Sequence, residues 1–145
     1  MALSGDHVIV KMDDSRGTLR QFADGDIRSI DLGQTYDQFD VTGFGDEVHQ
    51  FINGQLRAPV TIEGYLTAES PSGTHTVIQG AFAAGSQVTL EVQVGDNAAP
   101  AAKDPKYSGE FLIGSYRPQI MTGGAVMFTA TLKPATGDAP AWGTV

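Results

Sequence analysis

The chain has 145 residues and no cysteine. That excludes disulfides, thiolate metal sites and a thiol nucleophile. It contains no run of 18 apolar residues, so no segment is a candidate membrane-spanning helix. No basic stretch precedes the first apolar residues of "MALSGDHVIV". The N-terminus therefore does not read as a signal peptide, and the protein is expected to stay in the compartment where it is made. Positive charge is scarce, with nine bases against 17 acids and a formal net charge of −8. The bases (Lys11, Arg16, Arg20, Arg28, Arg57, Lys103, Lys106, Arg117 and Lys133) are scattered along the chain. Tight binding of DNA or RNA needs a clustered basic face, which this pattern does not supply. Strong helix formers such as Leu, Lys and Glu are also few.

What the chain does have is 18 glycines and many Val, Thr, Ile, Phe and Tyr residues. This composition points to a mostly-β protein with many turns. The length suits one domain, residues 1–145, which can bury about 68–70% of its unfolded surface without staples. Strands are expected at 7–12, 18–23, 27–32 and 34–42. The cleanest alternations follow: Val60, Ile62 and Leu66 within 58–68, then Val88, Leu90, Val92 and Val94 within 87–95. Two long strands, 107–120 and 125–134, are joined by "MTGG". The one helix candidate is 71–85. Thr74 is its expected N-cap, Val77, Ile78, Ala81 and Phe82 its apolar stripe, and Gly85 its stop. The Ala/Pro-rich stretch 96–105 and the Pro/Gly-rich tail 135–145, with an exposed-looking Trp142, read as irregular. The sum is a β-sandwich or barrel with one short flanking helix.

Signals of chemistry are weak. His7, His49 and His75 have no metal-ligand spacing, so neither a metal nor another cofactor is expected. The acidic pairs at 13–14 and 24–26 lack the remaining ligands of a calcium loop and read as turns. "GFG" at 43–45 is a lone G-x-G with no helix behind it. Glu63 and Glu91 lie on polar strand faces, where a carboxylate pair for acid–base work is conceivable but a solvated surface is the plainer reading. Tyr36, Tyr65, Tyr107 and Tyr116 form a sugar platform only if they line one face. No enzyme is indicated.

The unusual stretch is "DVTGFGDEVHQFINGQ", residues 40–55. A hairpin connection needs two to five residues, and this one is expected to span about fifteen. It carries Phe44, Val48, Phe51 and Ile52, which a solvated loop does not need. Either it folds back over the protein's own core, or it docks on a second copy. In the second case the flanking strands 34–42 and 58–68 would pair into an extended hairpin at a sheet edge. Such a contact, repeated head to tail, builds a ring or tube.

The run 29–66, and within it "DVTGFGD" at 40–46 and the segment 51–66 ending "VTIEGYL", resembles the tail tube (major tail) proteins of long-tailed, non-contractile phages. The later order of helix, strand and two long strands is similar too. The resemblance implies a tail-tube β-sandwich or barrel. It implies homo-hexameric rings stacked into a tube, a virion location, and tape-measure, terminator and baseplate proteins as partners. DNA would pass through the lumen without tight binding, and no membrane would be involved. It further implies that Asp40, Val41, Thr42, Phe44, Gly45, Asp46, Val48, Phe51 and Ile52 form the subunit or ring-stacking interface. Asp37, Asp40, Glu63 and Glu69 would be the candidates for wall charge. The alternatives are another tube or ring protein (a secretion-system tube, a tail terminator, a capsid decoration protein), a carbohydrate-binding β-sandwich, and a small β-barrel hydrolase or isomerase.

Overall fold

A computed structural model of the chain describes residue 3 and residues 5–95, 99–137 and 139–145. Among them are ten strands. They are β1 (Val8–Asp13), β2 (Leu19–Gln21), β3 (Ile27–Leu32), β4 (Thr35–Asp40), β5 (Phe51–Arg57), β6 (Val60–Tyr65), β7 (Val88–Val94), β8 (Pro105–Gln119), β9 (Met127–Pro134) and β10 (Ala141–Thr144). One antiparallel sheet runs in the order β2-β1-β7-β8-β9-β6-β3, with β10 paired to β8. The 15-residue β8 holds it together. Its first half pairs with β7 on one side and β10 on the other, and its second half pairs with β9. β4 and β5 form a separate two-stranded sheet.

The large sheet curls on itself. Val92 and Val94 of β7 line the same cleft as Ile30 and Leu32 of β3, although four positions separate these strands in the sheet order. The expected sandwich or barrel is thus one strongly curved sheet around one core. The period-2 residues fill that core: Val60 and Ile62, then Val88, Leu90 and Val92, then Phe128, Ala130 and Leu132. Each alternation in the sequence becomes an inward row because successive side chains of a strand point to opposite faces.

The helical segment closes one side of this core. A π-helical stretch, His75–Gln79, runs directly into α1, Gly80–Ala84. Val77, Ile78 and Ala81 are buried, whereas Phe82, expected in the same stripe, is exposed. The wider turn of the π stretch rotates the stripe away from Phe82. Gly85 stops the helix in the left-handed conformation, as expected. Thr74 holds the N-cap position without capping. Its hydroxyl donates to the Tyr65 carbonyl at 2.7 Å and accepts from the Thr67 amide at 2.9 Å, which ties the helix to the end of β6.

One expectation fails at the C-terminal end. The tail is not irregular: β10 pairs along β8 from Ala141↔Ser108 to Thr144↔Pro105. Half-exposed Trp142 packs against buried Tyr107 with ring centroids 5.1 Å apart. Gly109 makes room for the tail, since a Cβ there would come within 2.8 Å of the Pro140 side chain. Of the stretch 96–105, positions 96–98 lie outside the described residues.

Candidate functional site

The stretch 40–55 is part loop and part strand. β4 does not pair with 58–68. It pairs with β5, and residues 60–65 stay in the main sheet between β3 and β9. The break falls at Ala58–Pro59, where proline has no amide to give a ladder. Phe51 and Ile52 therefore belong to a strand, and the loop proper is 41–50.

The β4–β5 hairpin stands apart from the body, and its apolar residues point outward. Direct cross-strand pairs set Phe39 beside Ile52 and, on the opposite face, Asp40 beside Phe51. All three apolar residues are exposed, as are Tyr36 and Val41. At Gly54 the register shifts, and the Phe39 ring covers the glycine so closely that a Cβ would lie 2.6 Å from it. An aromatic ring over a strand glycine replaces the missing side-chain packing. At the hairpin stem Arg57 holds Asp37 in an ion pair at 2.8 Å.

The loop is fastened from within by its own polar residues. Asp40 Oδ1 accepts from the Thr42 amide at 2.9 Å and from the Thr42 hydroxyl. Thr42 Oγ1 in turn accepts from the Gln50 amide at 2.8 Å. The Thr42 hydroxyl and amide, with His49 at 3.5 Å, hold the Asp40 carboxyl below its ordinary range. Asp46 accepts from the Gly43 amide at 2.8 Å, and its own amide reaches back to the Gly43 carbonyl. Gly43–Asp46 is thus a β-turn whose third residue, Gly45, has φ of +88° as a type II turn requires. The turn pushes Phe44 out at the tip with a relative exposure of 112%, more than an isolated peptide reference. Val48 beside it is also exposed. Every expected interface residue thus lies on one projecting element. None of them belongs to the core.

The four expected wall charges are not brought together. Asp37 and Asp40 sit on the hairpin and are already engaged. Glu63 is exposed on the outer face of β6, opposite Ser29 and Thr129. Glu69 lies in the turn before the helix. Other chemical readings disperse as well. Glu63 and Glu91 lie on strands separated by β8 and β9. Tyr107 is buried, Tyr116 bonds His75 Nδ1 at 2.9 Å, and Tyr36 and Tyr65 lie on different sheets, so no aromatic row forms. Among the described residues no three His, Asp or Glu side chains gather as a metal site. No described helix is long and apolar enough to cross a membrane.

No protein-family model and no curated protein matches the chain. Solved structures do match, end to end. A chain from the tail of an empty gene transfer agent particle, refined with helical and C6 symmetry, is 16% identical over 99% of both chains, with a TM-score of 0.74. A chain of the SPP1 tail tube is 12% identical, with 99% of this chain and 80% of that one covered and a TM-score of 0.75. A chain from the sheath-tube complex of an extracellular contractile injection system is 12% identical over 99% and 93%, with a TM-score of 0.66. The polypeptide has the fold of the subunits that build phage-type tail tubes.

Proposed function

We propose that the protein is a structural subunit that assembles with copies of itself into stacked hexameric rings, forming the tail tube of a phage-like particle. The observation that carries this reading is the exposed, doubly apolar β4–β5 hairpin on a tail-tube fold. Burying one Phe44-sized side chain contributes about 2 kcal/mol. Repeated six times around a ring, that contribution is large even when each single contact is weak. Terminator, tape-measure and baseplate proteins are the other expected partners, and the subunit has no catalytic task.

The duplex would slide through an acidic lumen. Six copies of a chain of formal charge −8 carry −48 per ring. Such a wall repels phosphate. Of the four candidate wall charges, Asp37 and Asp40 are engaged on the hairpin, which leaves Glu63 and Glu69.

Negative-stain electron microscopy with light scattering tests the proposal. Wild-type protein is expected to form rings or hollow tubes. Phe44→Asp and Phe51→Asp are expected to abolish them with an unchanged melting temperature. Tubes from both variants would sink the hairpin's role. A wild type that stays monomeric at high concentration, even with a tail initiator present, would sink the tube itself.

A further inference from the structure

The chain has a second exposed apolar tip, which leaves the large sheet at the end opposite to the hairpin. β8 and β9 pair as far as Gln119↔Met127, leaving 120–126 as the connection. Ile120 and Met121 there are 81% and 71% exposed. The Gly124 amide closes a turn onto the Met121 carbonyl, and Gly123 in its third position has φ of +78°. This is the construction seen at Gly43–Asp46, again with an apolar side chain held out by a glycine turn.

The register fixes where each tip stands. Leu32, Val60, Leu132 and Ile113 form one cross-strand row, and β4–β5 leaves the body at that row through β3 and β6. Tyr65, Met127 and Gln119 form the row at the other end of the same strands, and the Leu66 amide bonds the Val126 carbonyl there. The six residues of β6 separate the two ends of the body by about 17 Å. Charge differs between the ends as well. Asp46 and Glu47 follow Phe44 in the hairpin loop. Arg28, whose Nη1 lies 4.0 Å from Met127 Sδ, and Arg117, opposite Thr129, stand near the other tip, with Glu63 in the same row.

We infer that the Ile120–Met121 tip is a second self-association surface, which meets the hairpin end of the next copy. The inference rests on the tube reading above. A polymer that repeats head to tail needs two unlike surfaces at opposite ends of each subunit, since a like-to-like contact closes as a dimer. Exposed apolar tips held out by tight turns at both ends meet that need, and the partner they fit is another copy of this chain.

The test uses full-length protein. Wild-type assembly is scored first by electron microscopy and light scattering. The double variant Ile120→Asp/Met121→Asp is then compared with it, with thermal melting as the check on folding. Both side chains are outside the core, so the melting temperature is expected to stay within a few degrees while tubes disappear. Mixing this variant with Phe44→Asp is the decisive step. Each variant keeps one good end, so the mixture is expected to form a limited one-to-one complex by analytical ultracentrifugation, which neither forms alone. Tubes from the double variant as abundant as wild type would overturn the inference and leave the tube reading standing. So would a mixture that sediments as its separate components. A wild type that never assembles would remove the tube reading and this inference with it.

Discussion

Gly64 shows how tightly the body of the protein is built at single positions. A Cβ there would lie 2.2 Å from the Asp26 carbonyl, where β3 shifts register against β6. Neither backbone can retreat without breaking its ladder. Gly64→Ala is expected to cost about 3 kcal/mol, at the upper end of overpacking costs. A melting curve should show a drop of roughly 6–12 °C for a chain of this size. Asp40 is the opposite kind of residue, exposed and concerned with local shape. Its bonds to the Thr42 hydroxyl and amide favour the ionised form and lower its pKa below the ordinary 3.8. A carboxyl lowered on folding stabilises the loop above the ordinary value and loses that effect as pH falls through the lowered one. NMR titration of the Asp40 carboxyl should give a midpoint below 3.8, and Thr42→Val should move it back up. An unshifted midpoint would mean that the clasp is not formed in solution.

At the scale of elements, the hairpin and the large sheet differ in what holds them. Among the described residues the β4–β5 ladder has no third strand, and two-stranded sheets alone in water are marginal. Its amides are expected to exchange with deuterium far faster than those of β7 and β8 in the monomer. They should become protected on assembly. Equal protection in both states would argue that the hairpin is never covered. The same contrast explains what could be read from the sequence. The rows of β6, β7 and β9 were legible because one face is buried and the other wet, so residue types alternate. The strand β5 was not, because it is exposed on both faces and Asn53–Gly54 looks like a turn. The pattern hides the Phe39 ring that stands over Gly54. β10 left no signal, being four exposed residues including Gly143 whose place is set by the groove at Gly109. The residues expected at an interface do fall on one exposed element, since large apolar residues among glycines have few uses inside a solvated loop. Their division between loop and strand, and the second tip at Ile120–Met121, needed the register.

Over the whole molecule, charge would oppose the assembly proposed for the apolar tips. Copies of a chain of formal charge −8 repel one another. That repulsion is screened over about 10 Å at 0.1 M salt and about 3 Å at 1 M. Tube formation is therefore expected to speed up as salt rises from about 0.05 to about 0.5 M, by light scattering at fixed protein concentration. Contacts made mainly of ion pairs would show the reverse. Replacing Glu63 with lysine should leave tubes intact while hindering genome transfer, measured as infectivity of particles that carry it. Normal infectivity would place Glu63 away from the lumen.

The hairpin's lack of a third strand has one more consequence. In the tube proposed above, a copy arriving at a ring would bring a hairpin that still lacks its third strand, and the ring's edge would supply one. The rim of a six-membered ring would offer six such edges, whereas two free copies would offer each other only unsupported hairpins. Growth at a standing tip would then outpace new starts, and the timing of construction would pass to whatever lays down the first ring.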